Sequence, residues 1–293
     1  MKFFIYIAFV CTLSTPIQAA TAITVIAPES NRQLKAYTER AIQENLPHLN
    51  LLLLADSSHL QVIIVNTDEQ FTREVGGNLP DWVSAVTLFP RGVMVIKAPR
   101  LTNSTLREYR TTVVHELVHL VQGKVVPLSL VPRWFSEGLA TYLSEEYNYR
   151  SRVVLSRALL QKRVINLAQL ENWQHFSAPV ADLAYAESAA AIEFICAIYG
   201  PESIGQILRQ MRTGRSFEQC LGAVINDDYA RFFDLYQEYI QRKYAWAFLL
   251  DFQYILWLFL SLMVVIIYWR MRQSNKKKLA LWQEEAESED DQD

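Results

Sequence analysis

The chain has 293 residues, room for one well-packed domain with accessory segments or for two domains. Its formal net charge is −3 and no central stretch is strongly basic, which excludes nucleic acid as a partner, because phosphate binding needs a clustered positive surface. The hydrophobic share, 51%, is high for a soluble protein, and the two ends of the chain account for it.

Met1 and Lys2 supply a short positive region, and FFIYIAFVCTL (Phe3 to Leu13) is apolar but too short to cross a bilayer. Pro16 and the small residues Ala19, Ala20 and Ala22 offer cleavage points, so residues 1–19 read as a secretory signal that carries Cys11 away. In an oxidising compartment Cys196 and Cys220 either join two helical segments by a disulfide or remain two buried thiols.

ITVIAP (Ile23 to Pro28) predicts a first strand, and Ser30 is placed to cap a helix through RQLKAYTERAIQENL. LQVIIVN (Leu60 to Asn66) is rich in β-branched residues and predicts a second strand. SAVTLFP and GVMVIKAP predict two more, on either side of a turn at Pro90-Arg91-Gly92. From Thr105 the apolar period turns helical and mostly stays so up to about Tyr244. Strands followed by helices imply an α+β domain rather than an alternating α/β one.

The segment LREYRTTVVHELVHLVQG carries the chemistry. Thr105 and Glu108 form a capping-box pattern, and Gly123 marks a natural stop. Inside this helix His115 and His119 project from one face about a turn apart, where two imidazoles can take adjacent corners of a tetrahedral zinc site. Glu116 is one step round the helix, able to reach a water at the metal rather than the metal itself. This is the HExxH pattern, in which zinc acidifies the water and the glutamate takes its proton. Without a metal, two histidines and a carboxylate on so apolar a helix would be costly buried polar groups.

A catalytic zinc ion needs a third protein ligand. VPRWFSEGLATYLSEEY opens a new helix, with Pro132 suited to its first turn and Glu137 as the candidate ligand. The plainer reading of Glu137 is a surface glutamate, which is how Glu145 and Glu146 read. Gly138 beside it would let this helix come close to the histidine helix.

HELVH followed by WFSEGLATYL resembles the gluzincin zinc metallopeptidases, closest to their aminopeptidase-like branch and the small peptidase-MA-like domains with a W-x-x-E-G-x-A pattern. The resemblance implies a zincin-like fold with one zinc ion held by His115, His119 and Glu137, and Glu116 as catalytic base. It also implies peptide or protein substrates, and it reaches from the strands near Ile23 to about Tyr244. Where aminopeptidases carry Gly-x-Met-Glu-Asn, this chain reads GVMVIKAP, with Val95 and Ile96 in place of the acid and amide, which tells against an aminopeptidase and favours an endopeptidase or an unrecognised specificity. Thr141 stands where thermolysin-like relatives place an aspartate four residues after the glutamate ligand, and its hydroxyl can supply a weaker orienting bond. LAYAESAAAIEFICAIYG resembles the A-Y-x-x-S helix of the peptidase-MA-like domains. It offers Tyr185 as donor to the oxyanion, with His175 as the second choice and a packing role as the plainer reading of Tyr185. GRSFEQCLGAVINDDYARFFDLYQEYI resembles the end of those domains and reads as packing alone.

Near the C-terminus, FQYILWLFLSLMVVIIYW (Phe252 to Trp269) carries no charge, and with the apolar residues from Ala245 onward it predicts a transmembrane helix over 245–269. Trp246, Tyr254, Tyr268 and Trp269 sit near its ends, as interfacial aromatics do. Arg270, Arg272 and Lys276 to Lys278 follow it, so residues 270–293 face the cytoplasm and residues 20–244 form an extracytoplasmic, periplasm-facing domain. The terminal EEAESEDDQD reads as a solvated, irregular tail. The reading is thus a membrane-anchored zinc peptidase, with the lipid bilayer and a polypeptide as partners. The alternative from another class is a catalytically silent zincin-fold protein that binds or assembles partners in the cell envelope. An intact Glu116 beside three ligands favours the enzyme.

Overall fold

The computed structural model describes residues 22–56, 59–77, 79–80, 83–89, 91–167, 178–245 and 252–290. The expected signal segment, residues 1–19, lies outside them, as do His175 and Trp246. The chain divides into two compact units, Met1–Val125 and Val126–Asp293.

The first unit is built on strands β1 (Ala22–Ile26), β2 (His59–Val65), β3 (Ala85–Leu88) and β4 (Val93–Lys97). Its helices are α1 (Arg32–Leu53), α2 (Asp68–Val75), α3 (Pro99–Thr102) and α4 (Leu106–Val125). The sheet order is β1-β2-β4-β3. β1 runs parallel to β2 and β2 parallel to β4, so the chain needs crossovers, and α1 supplies the first. β3 is antiparallel to β4, with Thr87 opposite Met94, and forms an edge. β4 is buried along its whole length, as a strand covered on both faces must be. Its Val93 and Val95 join Val65 and Phe71 in a cluster under α2, together with Val86 and Leu88 of β3. By the two-residue pleat, Met94 and Ile96 of β4 and Thr87 of β3 point to the other face, where α4 packs. The small mixed sheet among many helices agrees with the α+β class.

Several helix boundaries differ from the sequence expectation. α1 continues past Pro47 to Leu53, and its N-cap is Asn31 rather than Ser30, which lies in a short 3₁₀ turn. A proline inside a helix costs about 3 kcal/mol. Buried Leu46, Leu49 and Leu53 offset it, each contributing roughly 1.5–3 kcal/mol. The capping box at the start of α4 is formed, with Thr105 N–H donating to Glu108 Oε2 at 2.8 Å and Glu108 N–H to Thr105 Oγ1 at 3.2 Å. Gly123 does not end α4, which runs on to Val125. The glycine is needed for another reason: a Cβ there would overlap the ring of Phe89, just past β3.

The second unit is helical. It comprises α5 (Arg133–Leu143), α6 (Tyr149–Leu160), α7 (Ala178–Tyr199), α8 (Glu202–Met211), α9 (Phe217–Ile225), α10 (Tyr229–Tyr244) and α11 (Phe252–Asp290). α7 is the hub and packs against α5, α6, α8 and α10. An aromatic core of Trp134, Phe135, Phe194, Phe217, Phe232 and Tyr236 joins α5, α7, α9 and α10. The stretch GRSFEQCLGAVINDDYARFFDLYQEYI contributes Phe217, Phe232 and Tyr236 to this core. At the end of α10, Tyr244 hydrogen-bonds Glu193 of α7, and Lys243 Nζ stands 3.1 Å from the same carboxylate. Cys196 and Cys220 are free thiols, and burial pushes both up, Cys196 to about 11.

Among the described residues one helical stretch is long and apolar enough to cross a membrane: Ile255–Leu279, 25 residues whose most apolar part is nowhere buried. At about 1.5 Å per residue it exceeds the roughly 30 Å of a bilayer core. α11 also continues to Asp290 where an irregular tail was expected, because LALWQEEAES is rich in strong helix formers.

Candidate metal centre

α4 is held on most sides. Val113, Val114, Leu117, Val118, Leu120 and Val121 are all in the core, so the backbone around HELVH is fixed. His115 and His119 lie a turn apart on it, His119 buried and His115 half-buried. Their Nε2 atoms face each other at 3.2 Å, with ring centroids 5.0 Å apart and planes at 71°. Two nitrogens bound at about 2.0–2.1 Å on adjacent corners of a tetrahedral ion stand roughly 3.3 Å apart. The pair therefore already has the spacing such an ion demands.

Glu116 is half-buried on the same helix. The Thr87 hydroxyl of β3 donates to its Oε2 at 2.7 Å and lies 3.2 Å from its backbone carbonyl oxygen. Sequence reasoning missed this partner. The alternation around β3 marks Thr87 as the one polar residue between Val86 and Leu88, but not which helix it meets.

Glu137 is carried by α5, whose Trp134 and Phe135 are wholly buried. The Trp134 indole N–H reaches Tyr229 Oη at 3.4 Å, and its ring stacks on Phe232 at 5.7 Å, which sets the rotation of α5. Pro132 is the N-cap of α5 rather than part of its first turn. Gly138 allows a close approach, but to α7: a Cβ there would overlap the backbone of Ser188. That corrects the expectation that Gly138 serves contact with the histidine helix. Arg133, one turn before, places Nε 3.6 Å from Glu137 Oε1, an ion pair exposed enough to contribute little to stability. Thr141 is buried, and its Oγ1 has no hydrogen-bond partner among the described residues, so the expected orienting bond is not made. Glu145 is exposed just beyond α5, as expected of a surface glutamate.

His115, His119 and Glu137 each offer one ligand atom, and the three atoms lie within 4.8 Å of one another, a group that can hold a metal ion. Two imidazoles and one carboxylate are donors suited to a divalent transition ion, zinc above all. Val95 and Ile96, which replace the acid and amide of the aminopeptidase motif, are both buried in β4.

Tyr185 is half-buried on α7, three residues before Ser188, and so shares with it the face that packs against α5. Between them Glu187 is fully buried, a feature the sequence did not reveal. Its two carboxyl oxygens accept from the Ile165 N–H at 2.8 and 3.1 Å, while the Tyr236 hydroxyl donates to its backbone carbonyl at 2.9 Å. Burial pushes the Glu187 carboxyl up to about 8, against the opposing effect of the Ile165 bond.

The family model described as the Peptidase MA superfamily matches residues 55–242. The match starts after α1, later than the Ile23 strand where the sequence pattern suggests a beginning, and ends within α10. It includes His115, Glu116, His119, Glu137 and Tyr185. No curated protein matches the chain. With well over half of its length matched, the chain belongs to the peptidase MA superfamily.

Proposed function

We propose that the chain is a membrane-anchored zinc metallopeptidase of the gluzincin type, an endopeptidase that hydrolyses peptide bonds outside the cytoplasm. A peptidase-family domain implies peptide or protein substrates. The observation that carries the finer reading is the grouping of His115, His119 and Glu137, with the carboxylate of Glu116 on the same helix as the two histidines.

In this reading His115, His119 and Glu137 hold the ion. When bound, zinc there supplies Lewis-acid chemistry toward water and carbonyl oxygen. Glu116 accepts the proton of the attacking water and returns it to the departing amine, so one carboxylate acts first as base and then as acid. Tyr185 donates its phenolic hydrogen to the oxygen that gains charge as the carbonyl carbon becomes tetrahedral. Val95 and Ile96 leave no acid to recognise a free amino terminus, which favours internal cleavage. α11 anchors the enzyme in the bilayer, and an N-terminal signal within residues 1–19 exports residues 20–244.

Glu116→Gln tests the mechanism. The amide keeps the shape but takes no proton, so the variant in detergent should retain its metal and lose turnover of a denatured, dye-labelled protein by about a hundredfold or more. A variant as active as the wild type refutes Glu116 as base.

A further inference from the structure

Glu116 ends in a carboxylate on three rotatable bonds, and a base of that kind works only when one oxygen is held toward the proton it must take. The Thr87 hydroxyl has a single hydrogen and two acceptors in reach, Oε2 of Glu116 at 2.7 Å and the backbone carbonyl of Glu116 at 3.2 Å. The shorter, charge-assisted contact takes the hydrogen. That bond occupies Oε2 and leaves Oε1 for proton transfer.

Thr87 is itself tied down by the sheet. Its strand pairs with β4 through the Thr87–Met94 register, and Val86 and Leu88 are packed on the opposite face against the cluster under α2. Just beyond the strand, the Phe89 ring lies where a side chain on Gly123 of α4 would be. Gly123 is two helical turns beyond Glu116, so β3 is fastened to α4 at two places: a hydroxyl at one and a ring at the other. The hydroxyl thus belongs to a rigid element rather than a loop, as orientation of a reacting group requires.

We propose that Thr87 is a positioning residue for Glu116, selecting the carboxylate oxygen that receives the proton. This rests on the reading of Glu116 as the base. The plainer role for the hydroxyl is to satisfy the α4 backbone, which would affect folding and not turnover.

Thr87→Val keeps the β-branched shape and removes the hydroxyl, and Thr87→Ser keeps the hydroxyl. The full-length protein in detergent is assayed for kcat and KM on the denatured, dye-labelled protein, for bound metal, and for its thermal unfolding midpoint. Thr87→Val should lower kcat about tenfold or more, with KM nearly unchanged and metal retained, and Thr87→Ser should recover most of the loss. A readout independent of turnover is the double-mutant cycle with Glu116→Ala. Thr87→Val should lower the unfolding midpoint in the wild-type background and not in the Glu116→Ala background. An unchanged kcat in Thr87→Val, a Thr87→Ser variant as impaired as the valine, loss of metal in Thr87→Val, or absence of coupling in the cycle each overturns the proposal. If the wild type cleaves nothing yet the coupling is present, Thr87 still holds Glu116 and the peptidase reading alone fails.

Discussion

The carboxyl of Glu187, fully buried on α7 and raised to about 8, stays protonated at a pH where the same group in the unfolded chain, near its ordinary 4.5, has lost its proton. The folded state therefore binds the extra proton between those two values. Stability falls as pH rises through that window and levels off above about 8, by at most roughly a tenfold change in the folded-to-unfolded ratio per pH unit. Glu187→Gln keeps an oxygen for the Ile165 N–H and has nothing to titrate. Urea midpoints at pH 5 and pH 8 should differ less in the variant than in the wild type, and an equal difference would count against a buried, protonated Glu187. This residue was invisible in the sequence, where it is one glutamate in an alanine-rich helix. Thr87 was hidden for a similar reason, since its bond to Glu116 joins residues 29 apart in sequence. His115 and His119 were legible because helical periodicity alone brings them together.

Among the elements, α4 was legible from its capping box and apolar faces, yet its end was misread. A glycine reads as a stop when only its backbone freedom is weighed, and Gly123 is instead the seat of the Phe89 ring. Gly138 carries the same lesson, because local sequence signals a close approach without naming the helix that approaches. Pro47 reads as a break, and the burial of Leu46, Leu49 and Leu53 overrides it. The β1-β2-β4-β3 order was beyond reach, since strand composition does not encode which strands become neighbours. The apolar part of α11 was plain from its composition, its continuation to Asp290 was not, and in our reading the charge that follows the apolar run sets its orientation. A reporter active only in the cytoplasm should work when fused after Asp293, and one active only outside it should work when fused after Lys243. The reverse pattern would place residues 20–244 in the cytoplasm and remove the case for a signal in residues 1–19.

At the scale of the whole molecule, the chain combines a peptidase MA domain with a helix able to cross a bilayer. In our reading the anchor confines proteolysis to substrates near the membrane, which limits encounter by geometry rather than by affinity. Everything in that reading depends on the metal. Elemental analysis of the purified full-length protein, beside His115→Ala and His119→Ala, tests it most directly. About one zinc per wild-type chain is expected, with loss of most of it in either variant, because two protein ligands hold the ion far more weakly than three. Stoichiometric zinc in both variants, or a wild type that binds no divalent metal, would contradict it.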